Sequence, residues 1–370
     1  MPPVREDRSM SGHKPPRAVG RAAQTSPPNR FLTTQLLRDD AQREHDEDLA
    51  AERRVVPTEF LPDRSRTIIS ENDSPDVGFR YSINPYRGCE HGCAYCYARP
   101  THELLGLNAG LDFETKILVK HQAAELLRAE LGKPAWQGEL IALSGVTDCY
   151  QPAERELRLT RSLLKVMLEA RQCVSIITKN ALVVRDLDLL APLAQLRLAH
   201  VNISLTTLDA PLARAMEPRT SAPTARLEAI RQLAAAGVPV RAMLAPIIPG
   251  LNDHEVPRLL EAAADAGAGA ANYTLLRLPL TVRPVFLAWL EENLPLKKDL
   301  VESRIRSTRE GELNSSQFRV RMRGRGQYAE QIGRTFRVFA KKHDLDRSLP
   351  ELDTSQFRPP RPASGQQMLV

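Results

Sequence analysis

Asn84-Pro85-Tyr86-Arg87-Gly88-Cys89-Glu90-His91-Gly92-Cys93-Ala94-Tyr95-Cys96-Tyr97-Ala98-Arg99 gathers three of the chain's five cysteines into eight residues, spaced Cys-x3-Cys-x2-Cys. Three thiolates this close in sequence hold three corners of an iron–sulfur cube and leave its fourth iron without a protein ligand. A metal site with an open position is a reactive one. Gly88 and Gly92 let the backbone fold tightly around such a group. The plainer alternative is a structural zinc knot, which needs a fourth ligand; His91 and His102 stand near enough in sequence to serve. The candidate metal ligands are Cys89, Cys93 and Cys96.

Downstream, short apolar runs alternate with helical patterns. Residues 140–144, 174–178, 201–205, 238–244 and 272–276 read as buried strands, and a first strand lies near 80–84. Helical periodicity covers 160–172, 183–196, 224–236 and 256–266, with Gly237 and Gly267 where C-caps belong. Strands alternating with helices predict a parallel sheet with right-handed crossovers. Six such units predict an α/β fold, an open partial (β/α)6 barrel rather than a complete eightfold one.

The flanks differ in composition. Residues 1–75 are rich in Pro, Arg, Ser and Asn, then in charge, and are expected to form a largely disordered or extended arm; the pattern allows a short helix near 31–54. The barrel is expected over 76–280, a basic extension over 281–347 and a disordered tail over 348–370. Residues 297–343 hold 13 Lys and Arg against 5 Asp and Glu, while the whole chain of 370 residues carries only +6. There Arg319, Arg321, Arg323 and Arg325 alternate with uncharged residues, as a row tracking a phosphate backbone does, and Tyr328 and Phe336 are placed to stack on bases. A solvated basic strand and helix over the barrel mouth explains the same pattern.

Hydrophobic residues make up 42% and charged residues 26%, ordinary for a globular protein. No run approaches the roughly 18 apolar residues of a membrane span, and the N-terminus lacks an apolar signal core, so a cytoplasmic protein without membrane attachment is expected. An odd cysteine count in a long chain argues against a disulfide scaffold.

The cysteine loop resembles that of the radical S-adenosylmethionine (SAM) superfamily, Cys-x3-Cys-x-aromatic-Cys, with Tyr95 at the aromatic position. Residues 84–99, the run Thr147-Asp148-Cys149-Tyr150-Gln151-Pro152-Ala153-Glu154 and Glu217-Pro218-Arg219 are similar to the DNA repair photolyase-like group, relatives of spore photoproduct lyase. Pro100-Thr101-His102-Glu103-Leu104 is similar to an uncharacterised subgroup within it. The resemblance covers about residues 76–280. It implies a [4Fe-4S] cluster and SAM as cofactors, reductive cleavage of SAM to a 5′-deoxyadenosyl radical that abstracts hydrogen from substrate, and an electron donor such as flavodoxin or ferredoxin. The substrate it implies is a DNA lesion, hence a lyase with nucleic acid as partner. Another nucleotide, a peptide or a small molecule is the alternative; a non-enzymatic metal-bearing nucleic-acid-binding protein is a second.

Within that resemblance the strand ends supply the candidate cofactor contacts. Ser144, Thr147 and Asp148 follow the second strand, where the superfamily often has a Gly-Gly-Glu type motif that this chain lacks. Lys179 ends the third strand and suits the SAM carboxylate. Ser204 ends the fourth, at the position of a cofactor-contacting serine in the photolyase-like relative. Pro246 belongs to an apolar cradle for adenine, and Tyr95 and Tyr97 adjoin the last cysteine. Glu217 and Arg219 read as an ion pair or as substrate contacts. Cys149 is the candidate catalytic residue, a thiol able to give hydrogen to a product radical, although it is displaced from where the relative's donor sits.

Overall fold

The computed structural model describes Ala18, residues 20–32 and residues 56–361. Its strands, in chain order, are β1 (Glu59–Pro62), β2 (Ile69–Glu71), β3 (Tyr81–Ile83), β4 (Tyr86–Arg87), β5 (Lys116–Val119), β6 (Ile141–Leu143), β7 (Val174–Thr178), β8 (Ala199–Ser204), β9 (Val240–Ile247) and β10 (Ala270–Leu275). Seven of them form one sheet in the order β10-β9-β8-β7-β6-β3-β2. Every pair from β3 to β10 is parallel, and only β2 runs antiparallel, on the outer edge of β3. Six parallel strands with helical crossovers make the expected open partial barrel.

One face of the sheet is fully covered: the alternate residues Val174, Ile176, Val201, Ile203, Val240 and Ala242 are all buried. Leu163, Leu164 and Met167 of the helix Leu159–Ala170 and Leu259, Leu260 and Ala263 of the helix Val256–Asp265 seal the outside. Gly237 and Gly267 adopt the left-handed φ values, +76° and +92°, that end their helices and turn the chain into the next strand. A small second sheet, β1-β5-β4, stands beside the cysteine loop.

The flanks depart from the sequence reading. Part of the N-terminal arm is a strap: Ala22 and Ala23 are buried, Arg21 donates to the carbonyls of Glu114 (2.8 Å) and Val56 (2.9 Å), and Asn29 donates to the carbonyls of Glu103 and Leu107. The helix allowed near 31–54 lies outside the described residues, apart from Phe31 and Leu32. The tail is ordered at its start, where the amides of Asp353 and Arg358 donate to the carbonyls of Arg197 and Ala170 and Phe357 packs against Gly138. Residues 362–370 lie outside the described residues.

The arginine row is not a strand. Val320–Arg323 is one helical turn, so the side chains diverge instead of lining up. Arg321 pairs with Asp76 (2.5 Å) and donates to Ser74. Arg323 lies over the Tyr273 ring (3.9 Å) and donates to Asn272, and Arg325 faces Glu310. Asp76 sits in the β2–β3 connection and Arg321 lies beyond β10, so their pair ties together the two edges of the open sheet. The two candidate stacking rings are also engaged: Phe336 is buried against Tyr273, and Tyr328 donates to Asp253 beneath Arg304. Among the described residues no helix is long and apolar enough to cross a membrane.

Candidate active site

The cysteine loop leaves β3 at the C-terminal end of the sheet, where parallel α/β folds place their ligands. Gly88 and Gly92 have φ of +85° and +62°. A Cβ on Gly88 would stand 2.9 Å from His102 Cε1, and one on Gly92 would stand 2.7 Å from Glu114 Oε2. The loop is pinned from both sides: Cys89 N donates to Phe113 O (2.9 Å) and Ala94 N to Met216 O (2.9 Å).

Arg99 closes the loop from beneath. It is fully buried and donates to the carbonyls of Gly92, Cys93, Ala109 and Gly110 and to the Glu114 carboxylate (2.5 Å). Glu90, between the first two cysteines, accepts from Thr58 (2.7 Å) and Arg219 (3.1 Å).

All three loop cysteines are free thiols; Cys89 and Cys93 are buried and Cys96 is half-buried between them. Burial pushes each thiol up, and Cys89 is pushed further by Asp148 and by the neighbouring Cys96 and Cys93. Opposing this, the amides of Asp148 and Ala98 donate toward the sulfurs of Cys89 and Cys96. Among the described residues no three His, Cys, Asp or Glu side chains converge on a point that would hold a single ion. Neither zinc-ligand histidine is aimed at the sulfurs. His91 lies between Asp148 (3.4 Å) and Asn180 (3.3 Å), and His102 bonds Lys116 O through Nε2 (3.0 Å).

Residues 83–263 match the radical SAM superfamily model. These residues form a radical SAM domain. The cofactors of radical SAM proteins are a [4Fe-4S] cluster and SAM. An uncharacterized protein of Mycobacterium tuberculosis is 41% identical over 219 residues, 59% of this chain and 64% of that one. An uncharacterized protein of Methanocaldococcus jannaschii is 29% identical over 233 residues, 63% of this chain and 83% of that one. The match thus spans less than two thirds of the mycobacterial relatives' length. Spore photoproduct lyase with bound AdoMet and dinucleoside spore photoproduct is similar in fold, with a TM-score of 0.53 and 19% identity over 77% of this chain and 78% of that one.

The residues expected to contact SAM divide into two groups in this radical SAM domain. Tyr95, Tyr97, Lys179 and Ser204 surround the cysteine loop. Tyr97 keeps 48% of its surface open and donates to Gly145 O (2.8 Å), reaching from the loop to the end of β6. Lys179 holds its ammonium 5.9 Å from the Tyr95 ring, with no carboxylate at ion-pair distance among the described residues. The Tyr95 hydroxyl donates to Glu217. Burial pushes the Glu217 carboxyl up, but Arg226 and Lys179, with the hydroxyls of Thr206 and Tyr95, outweigh it and hold it below the usual range. Arg226 donates to Glu217 and to Ser204 O (3.0 Å). The partner of Glu217 is therefore Arg226, while Arg219 reaches Glu90. Pro246 is half-buried at the end of β9, where its carbonyl accepts from Asn252 (3.1 Å).

Ser144, Thr147, Asp148 and Cys149 are used within the loop after β6. Ser144 has φ +73°, and its Oγ accepts from Cys149 N (2.7 Å). Thr147 donates to Tyr86 O (2.6 Å). Asp148 accepts from Thr178 Oγ1, Lys179 N and Tyr150 N, each at 2.8 Å. Burial raises the Asp148 carboxyl, but His91 and these donors prevail and bring it to about 2. Its two oxygens already accept from Thr178, Lys179 N and Tyr150 N and face His91, which leaves no free acceptor for a ligand amine. Cys149, the candidate hydrogen donor, is fully buried in the main core, with its thiol pushed well up by burial and then by Asp148.

Sequence reasoning missed Arg99, Glu114 and Arg226. Two of these are arginines in a fold whose arginines are mostly solvated, and their acceptors are backbone carbonyls, which leave no mark on a sequence.

Proposed function

We propose that the chain is a radical SAM enzyme whose [4Fe-4S] cluster is held by Cys89, Cys93 and Cys96 and whose substrate is a damaged or modified nucleotide. The observation that carries this is the three free thiols at the C-terminal mouth of a six-stranded parallel sheet, with Lys179, which makes no ion pair among the described residues, beside the loop. When bound, the cluster and SAM supply a one-electron cleavage that generates a 5′-deoxyadenosyl radical. The chain's own residues hold and shield that chemistry. Arg99 fixes the loop backbone, and the amides of Asp148 and Ala98 donate toward the cysteine sulfurs that would hold the cluster. Lys179, oriented through its amide by Asp148, takes the SAM carboxylate. Ser204 and Tyr97 would border the ribose and methionyl ends and Pro246 the adenine, and the buried Glu217–Arg226 pair would keep water from the floor of the site.

The nucleotide substrate is supported by the fold shared with a lyase that binds a dinucleoside lesion. The buried position of Cys149 and the engaged arginine row favour a reaction other than that lyase's hydrogen return, on a different nucleotide, peptide or small molecule. Anaerobic, cluster-loaded protein incubated with SAM, dithionite and a dinucleoside spore photoproduct, with a cyclobutane thymine dimer in parallel, tests the reading. Restored thymidine dinucleotide supports lesion repair. Turnover of neither lesion while SAM is cleaved moves the substrate to the second class. Lys179→Gln is expected to weaken SAM binding about tenfold, the scale of one charge-assisted bond.

A further inference from the structure

The cations around the mouth find partners one by one. Arg226 is paired with Glu217, Arg219 with Glu90, Arg99 with Glu114 and Arg321 with Asp76. Arg309 has no carboxylate, but it donates to the carbonyls of Leu276, Val320 and Arg321. Lys179 is taken by the proposed SAM carboxylate. Arg277 remains. It stands two residues beyond β10, half-buried, with its guanidinium 5.7 Å from the centre of the Tyr97 ring. Among the described residues its buried Nε has no hydrogen-bond partner, and the one hydrogen bond of its guanidinium runs from Nη1 to the Met322 sulfur at 3.8 Å. No carboxylate lies within ion-pair distance of it among the described residues, and Asp76, the acid that acts on it from further off, is engaged by Arg321 and by the Arg319 amide.

Withdrawing a guanidinium from water without a counter-charge is costly, and the neighbouring Arg321 adds like-charge repulsion. Burial, then Arg321, depress its affinity for its proton. A bound oxyanion offsets both costs. Arginine's fork matches phosphate and carboxylate oxygens. Beside it Tyr97 offers a half-open ring, and a cation next to an aromatic face is how proteins hold a phosphate and its neighbouring base.

We propose that Arg277, over the Tyr97 ring, is the subsite for a backbone phosphate of a nucleotide substrate. This rests on the radical SAM reading of the mouth as the substrate's place, and it makes Arg277 a specificity-determining residue. The test uses cluster-loaded, full-length protein with SAM bound. Thymidylyl-(3′→5′)-thymidine, its uncharged methylphosphonate isostere and an acidic tripeptide are titrated against the unchanged protein, Arg277→Gln and Arg277→Lys. SAM binding is measured in the same samples and reports separately on the radical SAM reading. The expected result is about a tenfold preference for the phosphodiester over the isostere, lost in Arg277→Gln and partly kept in Arg277→Lys. A preference that survives in Arg277→Gln overturns the proposal. So does dependence on Arg277 for the acidic peptide alone, or binding of none of the probes by a protein that binds SAM.

Discussion

The Arg99 guanidinium and the Glu114 carboxylate meet at 2.5 Å with neither side chain exposed, and between them they hold the cysteine loop. Arg99 faces the loop carbonyls. Glu114 faces the strap, accepting from Ala23 N (2.9 Å), and lies against the Gly92 position. The pair connects the N-terminal segment to the backbone that carries Cys93. Removing one partner of a buried pair strands the other charge and costs about 3–5 kcal/mol. Arg99→Met is therefore expected to lower the stability of the metal-free protein by that order. Arg99→Lys is expected not to rescue it, since an ammonium cannot reach acceptors spread over the loop. Chemical denaturation followed by circular dichroism checks both.

His102 gives the fold a pH dependence. Burial lowers its pKa to about 4 from an ordinary 6.5, and Nε2–H donates to Lys116 O. The unfolded chain takes up a proton below 6.5, whereas the folded chain resists until about 4. Stability from this group is complete above 6.5 and falls as pH drops through that window, by about 3 kcal/mol at most. His102→Gln is expected to be less stable at pH 7.5 but to show a shallower decline between pH 6.5 and 4.5. Parallel slopes for the two proteins would mean the histidine does not contribute.

Cys149 separates a core residue from a hydrogen donor. Its fully buried position predicts that Cys149→Ala lowers stability by about 1 kcal/mol and leaves product formation from any accepted substrate within a few-fold of the parent. Loss of product with unchanged stability and unchanged SAM cleavage would restore the catalytic role its sequence position suggests.

The barrel was legible because its strands are continuous apolar runs of the length a buried parallel strand needs; 174–178 coincides with β7, and the rest differ by a few residues at their ends. The cysteine loop was legible because metal chemistry fixes spacing. Other features left no comparable trace. The β1–β5 pairing joins residues 57 positions apart through strands of four residues, too short for a period to show. The Arg321–Asp76 tie spans 245 positions. The alternation of arginines over 319–325 has the period of a strand, but Gly324 and Gly326 take left-handed φ values and break it into a helical turn. Asp148 and Cys149 are adjacent in sequence but differently placed: the aspartate accepts from Thr178 and Lys179 N at the end of β7, and the thiol is buried in the core.

The central claim is that three thiols of one loop support reductive cleavage of SAM. Anaerobic reconstitution with iron and sulfide, followed by dithionite and SAM and chromatography for 5′-deoxyadenosine, tests it most directly. The radical SAM reading predicts about four irons per chain, 5′-deoxyadenosine from the parent protein, and neither iron nor product from Cys89→Ala, Cys93→Ala or Cys96→Ala. Full iron loading and undiminished 5′-deoxyadenosine in those three variants would contradict it.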